Sequence, residues 1–232
     1  YNTGSGALHL EGGDRVLLNP GNNIINNCEI YQYCRVNQGG VSAIAMDGVG
    51  NTVSHCSIHD APAMAVLISG NNHLIEYNHF EKVCTESSDA GRNPSAQGTV
   101  IRYNFFDSVT QPDNMVCAVY LDDGTCGYKI YSNVFYRCGN SKDSGEFGAF
   151  HINGGLENYM TNNIFIECRK PYGGTSWPDR KWVDYLTNVV RSRLKTVNIE
   201  SEIYQNAYPM LKTLQDTVNF PLRINYTVND VL

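Results

Sequence analysis

Three carboxylates stand out for what their positions would let them do: Asp89, in Glu86-Ser87-Ser88-Asp89-Ala90-Gly91, and the adjacent pair Asp122-Asp123 before Gly124. Cleaving a glycosidic bond takes one carboxylic acid to protonate the leaving oxygen and a second carboxylate to attack or to activate water. A close like-charged pair raises one of the two pKa values and so supplies the acid. Asp favours turns, and a turn role competes with chemistry at all three positions. Around them lie residues suited to holding a polyhydroxylated substrate: His9, Glu11, Asp47, Tyr120, His151 and Asn153, with His59, Glu86 and Arg92 beside them.

The elements that would position these groups are visible as repeats. Six segments read apolar, two residues, Asn or Cys, one residue, then Ile or Phe. Cys28, Cys56, Asn78, Asn104, Asn133 and Asn163 hold the central slot, at steps of 28, 22, 26, 29 and 30. A drifting step of this size with strand-like patterning describes a solenoid. A second segment recurs between them, as in Ala43-Ile44-Ala45-Met46-Asp47-Gly48 and Ala149-Phe150-His151-Ile152-Asn153-Gly154. Its alternation points Leu8, Leu10, Ile44, Met46, Val66, Ile68, Val119, Leu121, Phe150 and Ile152 inward. His9, Glu11, Asp47, Tyr120, Asp122, His151 and Asn153 then line one outer face.

Two strands per coil over about six coils predict an all-β, right-handed parallel β-helix across residues 1–169. Residues 170–232 are expected to form a helical and loop cap packed on it. Trp182, Val183, Leu186, Val189, Val190 and Leu194 recur at helical spacing, predicting a helix over 179–196. A second short helix is expected to open at Tyr208-Pro209-Met210-Leu211. The cap is placed over the C-terminal end of the stack, where an exposed sheet edge needs cover. The other end calls for further N-terminal sequence or another chain.

The 26 asparagines fit this scheme. Asn tolerates left-handed turns, and stacked amides can hydrogen-bond from coil to coil. One repeat lacks the Ala-x-x-x-Gly body: between Ser69 and Tyr120 the chain runs from Asp89-Ala90-Gly91 straight to Arg92.

Composition excludes other classes. The net charge of −6 without a basic cluster argues against nucleic acid. No apolar run approaches the roughly 20 residues of a membrane helix. Eight cysteines without a C-x-x-C pair argue against a zinc ribbon. Disulfides are permitted but not required, and buried thiols are the simpler reading. Cys34 and Cys84, and then Cys138 and Cys168, fall at matching offsets and suggest a second interior stack. No cofactor or metal is expected.

Ile58-His59-Asp60-Ala61-Pro62, Asn72-His73-Leu74-Ile75-Glu76-Tyr77-Asn78, Glu86-Ser87-Ser88-Asp89-Ala90-Gly91, Val100-Ile101-Arg102-Tyr103-Asn104 and Tyr120-Leu121-Asp122-Asp123 resemble right-handed β-helix proteins of polysaccharide-degrading bacteria. The likeness is greatest to relatives of glycoside hydrolase family 141, and it covers roughly residues 1–170. It implies a secreted or periplasmic enzyme acting on an oligo- or polysaccharide, with Asp89 and either Asp122 or Asp123 as the catalytic pair. That family usually places a short tyrosine-containing strand before the Gly-Arg, which this sequence lacks. Two other readings stand beside it. One is a polysaccharide lyase built on Arg92, Arg102 and His59, often with calcium as charge neutraliser. The other is a non-catalytic glycan-binding or structural module.

Overall fold

A computed structural model describes residues 1–87, 97–112, 115–141, 147–175, 177–190, 196–211 and 225–232. The protein is all-β, and every strand pairing outside one small hairpin is parallel. A seven-stranded sheet runs Ile24–Asn26, Thr52–Ser54, Leu74–Glu76, Val100–Arg102, Lys129–Tyr131, Tyr159–Thr161 and Tyr226–Val228. A six-stranded sheet runs Glu29–Tyr31, Ser57–His59, His79–Glu81, Phe105–Asp107, Val134–Tyr136 and Ile164–Ile166. Two three-stranded sheets complete the set. The third joins Leu8–Leu10, Ser42–Met46 and Met64–Ile68; the fourth joins Val119–Leu121, Phe150–Asn153 and Tyr172–Thr175.

Each repeat therefore contributes three strands rather than the two expected from the sequence. The segment around the Asn/Cys slot, read as one strand, is two short ones set at an angle. The bend lies at the residue before the slot. Asn27, His55, Tyr77, Tyr103, Ser132 and Asn162 all have φ between 53° and 56°, a left-handed conformation that breaks a strand. The slot asparagines themselves are not the left-handed residues. Their work is lateral. Asn78 Nδ2 donates to Asn104 Oδ1, Asn104 to Asn133 and Asn133 to Asn163, each at 3.0 Å. Asp230 closes the row by accepting from the Asn163 backbone N–H at 2.5 Å. All four asparagines are buried, so the ladder satisfies groups that would otherwise be orphaned.

A second polar column stands just before the first-sheet strands. Asn23 Nδ2 donates to Asn51 Oδ1 at 3.1 Å, the Asn51 backbone N–H donates to His73 Nδ1 at 3.1 Å, and Asn158 Nδ2 donates to Asn225 Oδ1 at 3.0 Å. Between the sheets lies one apolar core, with Ile30, Ile58, Phe80, Phe106, Phe135 and Phe165 in file. The four phenylalanine rings stack at 4.7–5.0 Å. Glycine is required where third-sheet strands turn out. Gly48 and Gly70 have φ of +82° and +91°, and a Cβ on either would sit about 2 Å from the carbonyl oxygen of Gly12 or Gly48 below it. The eight cysteines are free thiols, and most are buried. The Cys138 backbone N–H points at Cys168 Sγ at 3.4 Å, while Cys34 and Cys84 flank buried Tyr33.

Of the ten residues assigned inward, Leu8 is 43% exposed, because it belongs to the first strand of its sheet. The helix expected over 179–196 is an α-helix only over Asp179–Tyr185 and continues as a π-helical turn, Leu186–Val190. The second helix is Glu202–Ala207, capped by Ser201, and Tyr208-Pro209 ends it rather than opening it; a helix rarely runs through the residue preceding proline. These helices do not cover the end of the stack. Trp182, Tyr204, Tyr208 and Leu211 pack with Cys126 and Leu156 in a second apolar cluster along its side. Tyr208 Oη donates to Asn72 Oδ1 and accepts from Asn71, while Tyr204 Oη donates to the Arg15 carbonyl. The edge of the first sheet is continued instead by Tyr226–Val228, paired with Tyr159–Thr161.

Candidate functional site

The third and fourth sheets occupy the same position in successive repeats, yet among the described residues Met64–Ile68 and Val119–Leu121 do not pair. The break coincides with the repeat whose Ala-x-x-x-Gly body is missing. Asp89 and Arg92 fall there, and both lie outside the described residues. Beneath the break the core holds an apolar cavity of about 110 Å³, bordered by Met64, Val66, Ile68, Phe80, Phe106 and Val119.

The remaining predicted residues separate into three places. On the third sheet, His9 and Asp47 meet through Nε2 and Oδ2 at 3.2 Å, both well exposed, and Glu11 is exposed beside them. On the fourth sheet, Tyr120 is in register with His151 and Gly173, and Asn153 with Thr175. Here a relay runs inward from the carboxylate: Asn153 Nδ2 donates to Asp122 Oδ1 at 2.8 Å, and Trp177 Nε1 donates to Asn153 Oδ1 at 2.8 Å. Asp122 is half-buried. Trp177 is buried, with the Lys181 ammonium 3.9 Å from its ring centroid.

His151, expected on an open outer face, is 2% exposed. The Phe147 ring lies flat against it at 3.7 Å, and Tyr120 meets it edge-on. Burial pushes its pKa down to about 4, helped by the Lys170 charge and opposed by Asp122. It is therefore a neutral wall of the site and not a surface contact. Asp123 takes the turn role: its φ is +47°, Gly124 follows at +71°, and its carbonyl accepts from Tyr185 Oη at 2.5 Å.

His59 and Glu86 belong to neither face. His59 projects from the second sheet, where Nδ1 meets Asp60 at 2.8 Å and Nε2 meets Glu29 at 3.4 Å. Those two carboxylates outweigh its partial burial and raise its pKa. Glu86 accepts from Gln38 Nε2 at 2.8 Å. It lines an open polar groove of about 700 Å³ with Arg35, Gln38, Asp60, Lys82 and Thr85. Arg102 lies on the first sheet, bound to Glu76 at 2.7 Å and to Tyr131 at 2.9 Å. The residues of the lyase reading are thus not gathered on one surface.

Sequence reasoning missed Trp177 and Phe147, which lie in connections between strands where no repeat pattern marks them. It also missed the one group of described side chains arranged to hold a metal, His79, Glu81 and Asp107 on the second sheet. The aligned repeats contained that signal. His79 and Glu81 alternate on one strand, and Asp107 falls opposite Glu81.

Comparison of the chain with protein-family models, curated proteins and solved structures returns no match.

Proposed function

We propose that the chain is a right-handed parallel β-helix of about six coils that binds a polysaccharide on its outer surface and hydrolyses it, working outside the cytoplasm. Parallel pairing between segments 22–30 residues apart, with three strands to each repeat, supports the architecture. The observation that carries the chemistry is the Asp122–Asn153–Trp177 relay. It fixes a half-buried carboxylate on a strand end beside Tyr120, an amphipathic ring suited to a sugar. A carboxylate held this way is suited to attack an anomeric carbon or to take a proton from water, while a second acid protonates the leaving oxygen. Asp89 is the proposed acid.

The test is release of reducing ends from a polysaccharide panel that includes xylan and fucosylated glycans. The wild-type chain is expected to cleave at least one member. Asp122→Asn should lower that rate by at least about a hundredfold, as loss of a positioned acid–base group does, with circular dichroism unchanged. Full activity in Asp122→Asn removes the assignment. A second reading, glycan binding without turnover, is favoured by the exposed rings of Tyr77, Tyr103 and Phe105 at the corner of the first and second sheets. Binding in the same panel with no cleavage by the wild type would establish it.

A further inference from the structure

The outer face of the second sheet carries charge that the proposed hydrolysis does not use. His79 and Glu81 lie two residues apart on one strand and so project on the same side. Asp107 is paired directly with Glu81 on the next strand. One ring nitrogen of His79 and one oxygen from each carboxylate lie within 4.8 Å of one another, and all three residues are half-buried. His79 is held flat by the Phe105 ring at 5.0 Å. Its Nε2 is closed off from solvent and has no hydrogen-bond partner, a costly state for a polar atom. Asp107 is oriented by Ser108 Oγ at 2.8 Å. The nearest cation is Lys82, whose ammonium meets Glu81 at 2.5 Å from an exposed position it is free to leave.

We propose that His79, Glu81 and Asp107 form a binding site for a divalent transition-metal ion. One imidazole and two carboxylates suit zinc, manganese or cobalt better than calcium or magnesium, which take oxygen ligands almost exclusively. Metal–ligand distances of about 2.0–2.2 Å place the ligand atoms of one ion roughly 3.0–3.5 Å apart. Side-chain rotation alone closes the remaining gap, because the strand pairing already sets the three Cβ positions. Water completes the shell on the open side. Lys82 swings away as Glu81 turns to the metal.

Titration calorimetry of the full chain, stripped with EDTA, tests the site with Co²⁺ and Mn²⁺. One saturable ion per chain is expected, accompanied by a rise in the thermal midpoint. Affinity should fall at least tenfold in each of His79→Gln, Glu81→Gln and Asp107→Asn, and Ca²⁺ should bind more weakly than Mn²⁺. These near-isosteric changes lie on the outer face, so circular dichroism separates a lost ligand from a lost fold. The free cysteines are the competing ligands. The Co²⁺ complex should therefore lack the intense thiolate charge-transfer absorption and keep its affinity after thiol alkylation. Thiolate absorption, undiminished binding in all three variants, or the absence of a saturable site would each overturn the proposal. None of these outcomes bears on the glycan assay with Asp122→Asn.

Discussion

Asn104 shows how much one side chain carries here. Its amide reaches Asn133 Oδ1 and the carbonyls of Ile75 and Arg102, and its Oδ1 accepts from both nitrogens of Asn78. His73 performs similar work with an imidazole: Nδ1 accepts from the Asn51 backbone N–H, and Nε2 donates to the Ser69 carbonyl at 2.6 Å. Only the neutral ring can do both, and burial lowers its pKa accordingly. His151 is the stronger case, pushed down to about 4 from an ordinary 6.5. Between those values the unfolded chain binds a proton that the folded chain refuses. The stabilisation is complete above about pH 6.5 and is lost as pH falls toward 4. His151→Phe should therefore lose less of its urea midpoint between pH 7 and pH 5 than the wild type does, with His73 accounting for part of the slope that remains. An equal loss in both proteins would show that His151 is not buried as described. In sequence His151 reads as an outward position, and that reading is geometrically right. What hides it is Phe147, brought over the sheet by a connection that carries no periodicity.

At the scale of the element, the polar ladder was legible because its residue type repeats, while the bend before it was not. The left-handed positions hold Asn, His, Tyr and Ser by turns, and a conformation shared by such different side chains leaves no pattern to read. The two cysteines at the head of the ladder are more informative. Cys56 Sγ points to the carbonyls of Ser54 and Ile25, at 3.1 and 3.9 Å. Asn104 Nδ2 uses the equivalent pair, Arg102 and Ile75, at 2.9 and 3.0 Å. The Cys56 backbone N–H already donates to Asn78 Oδ1 at 2.9 Å. Cys56→Asn should thus extend the ladder by one rung and stabilise the protein by about 1 kcal/mol, the net worth of a buried hydrogen bond. The midpoint of urea unfolding measures it, and a decrease would mean that the slot is too narrow for an amide. The helices were less legible than the strands. Pro209 marks where the second one stops, and the apolar residues over 179–196 include contacts to the side of the stack that a single helical face cannot make.

Taken whole, the molecule is held together by three lateral systems that coincide: backbone pairing, the asparagine ladder and the file of stacked phenylalanines. The outer surface follows from them, since each catalytic or ligating candidate owes its neighbour to the register rather than to its own loop. Asp122 meets Asn153, and Glu81 meets Asp107, across successive repeats. That much could be read by aligning the repeats. The packing of the connections over the sheets could not, and it decides which faces stay open. The same register also governs the order of events when the chain folds. Paired first-sheet strands are 22–30 residues apart in sequence, and loop-closure entropy differs by only about 0.3 kcal/mol across that range. No repeat is thus the cheapest to close, and the choice of nucleus passes to the side chains. Phe80, Phe106, Phe135 and Phe165 share their repeats with the asparagine ladder, whereas Ile30 and Ile58 stand beside Cys28 and Cys56. Trimming Phe106 or Phe135 to Leu should therefore slow refolding, and Ile30→Val or Ile58→Val should chiefly speed unfolding, in stopped-flow chevrons. The reverse pattern would place the nucleus at the N-terminal repeats. The ladders that set the architecture thereby also set a direction, and the chain zips from its aromatic half toward its aliphatic one.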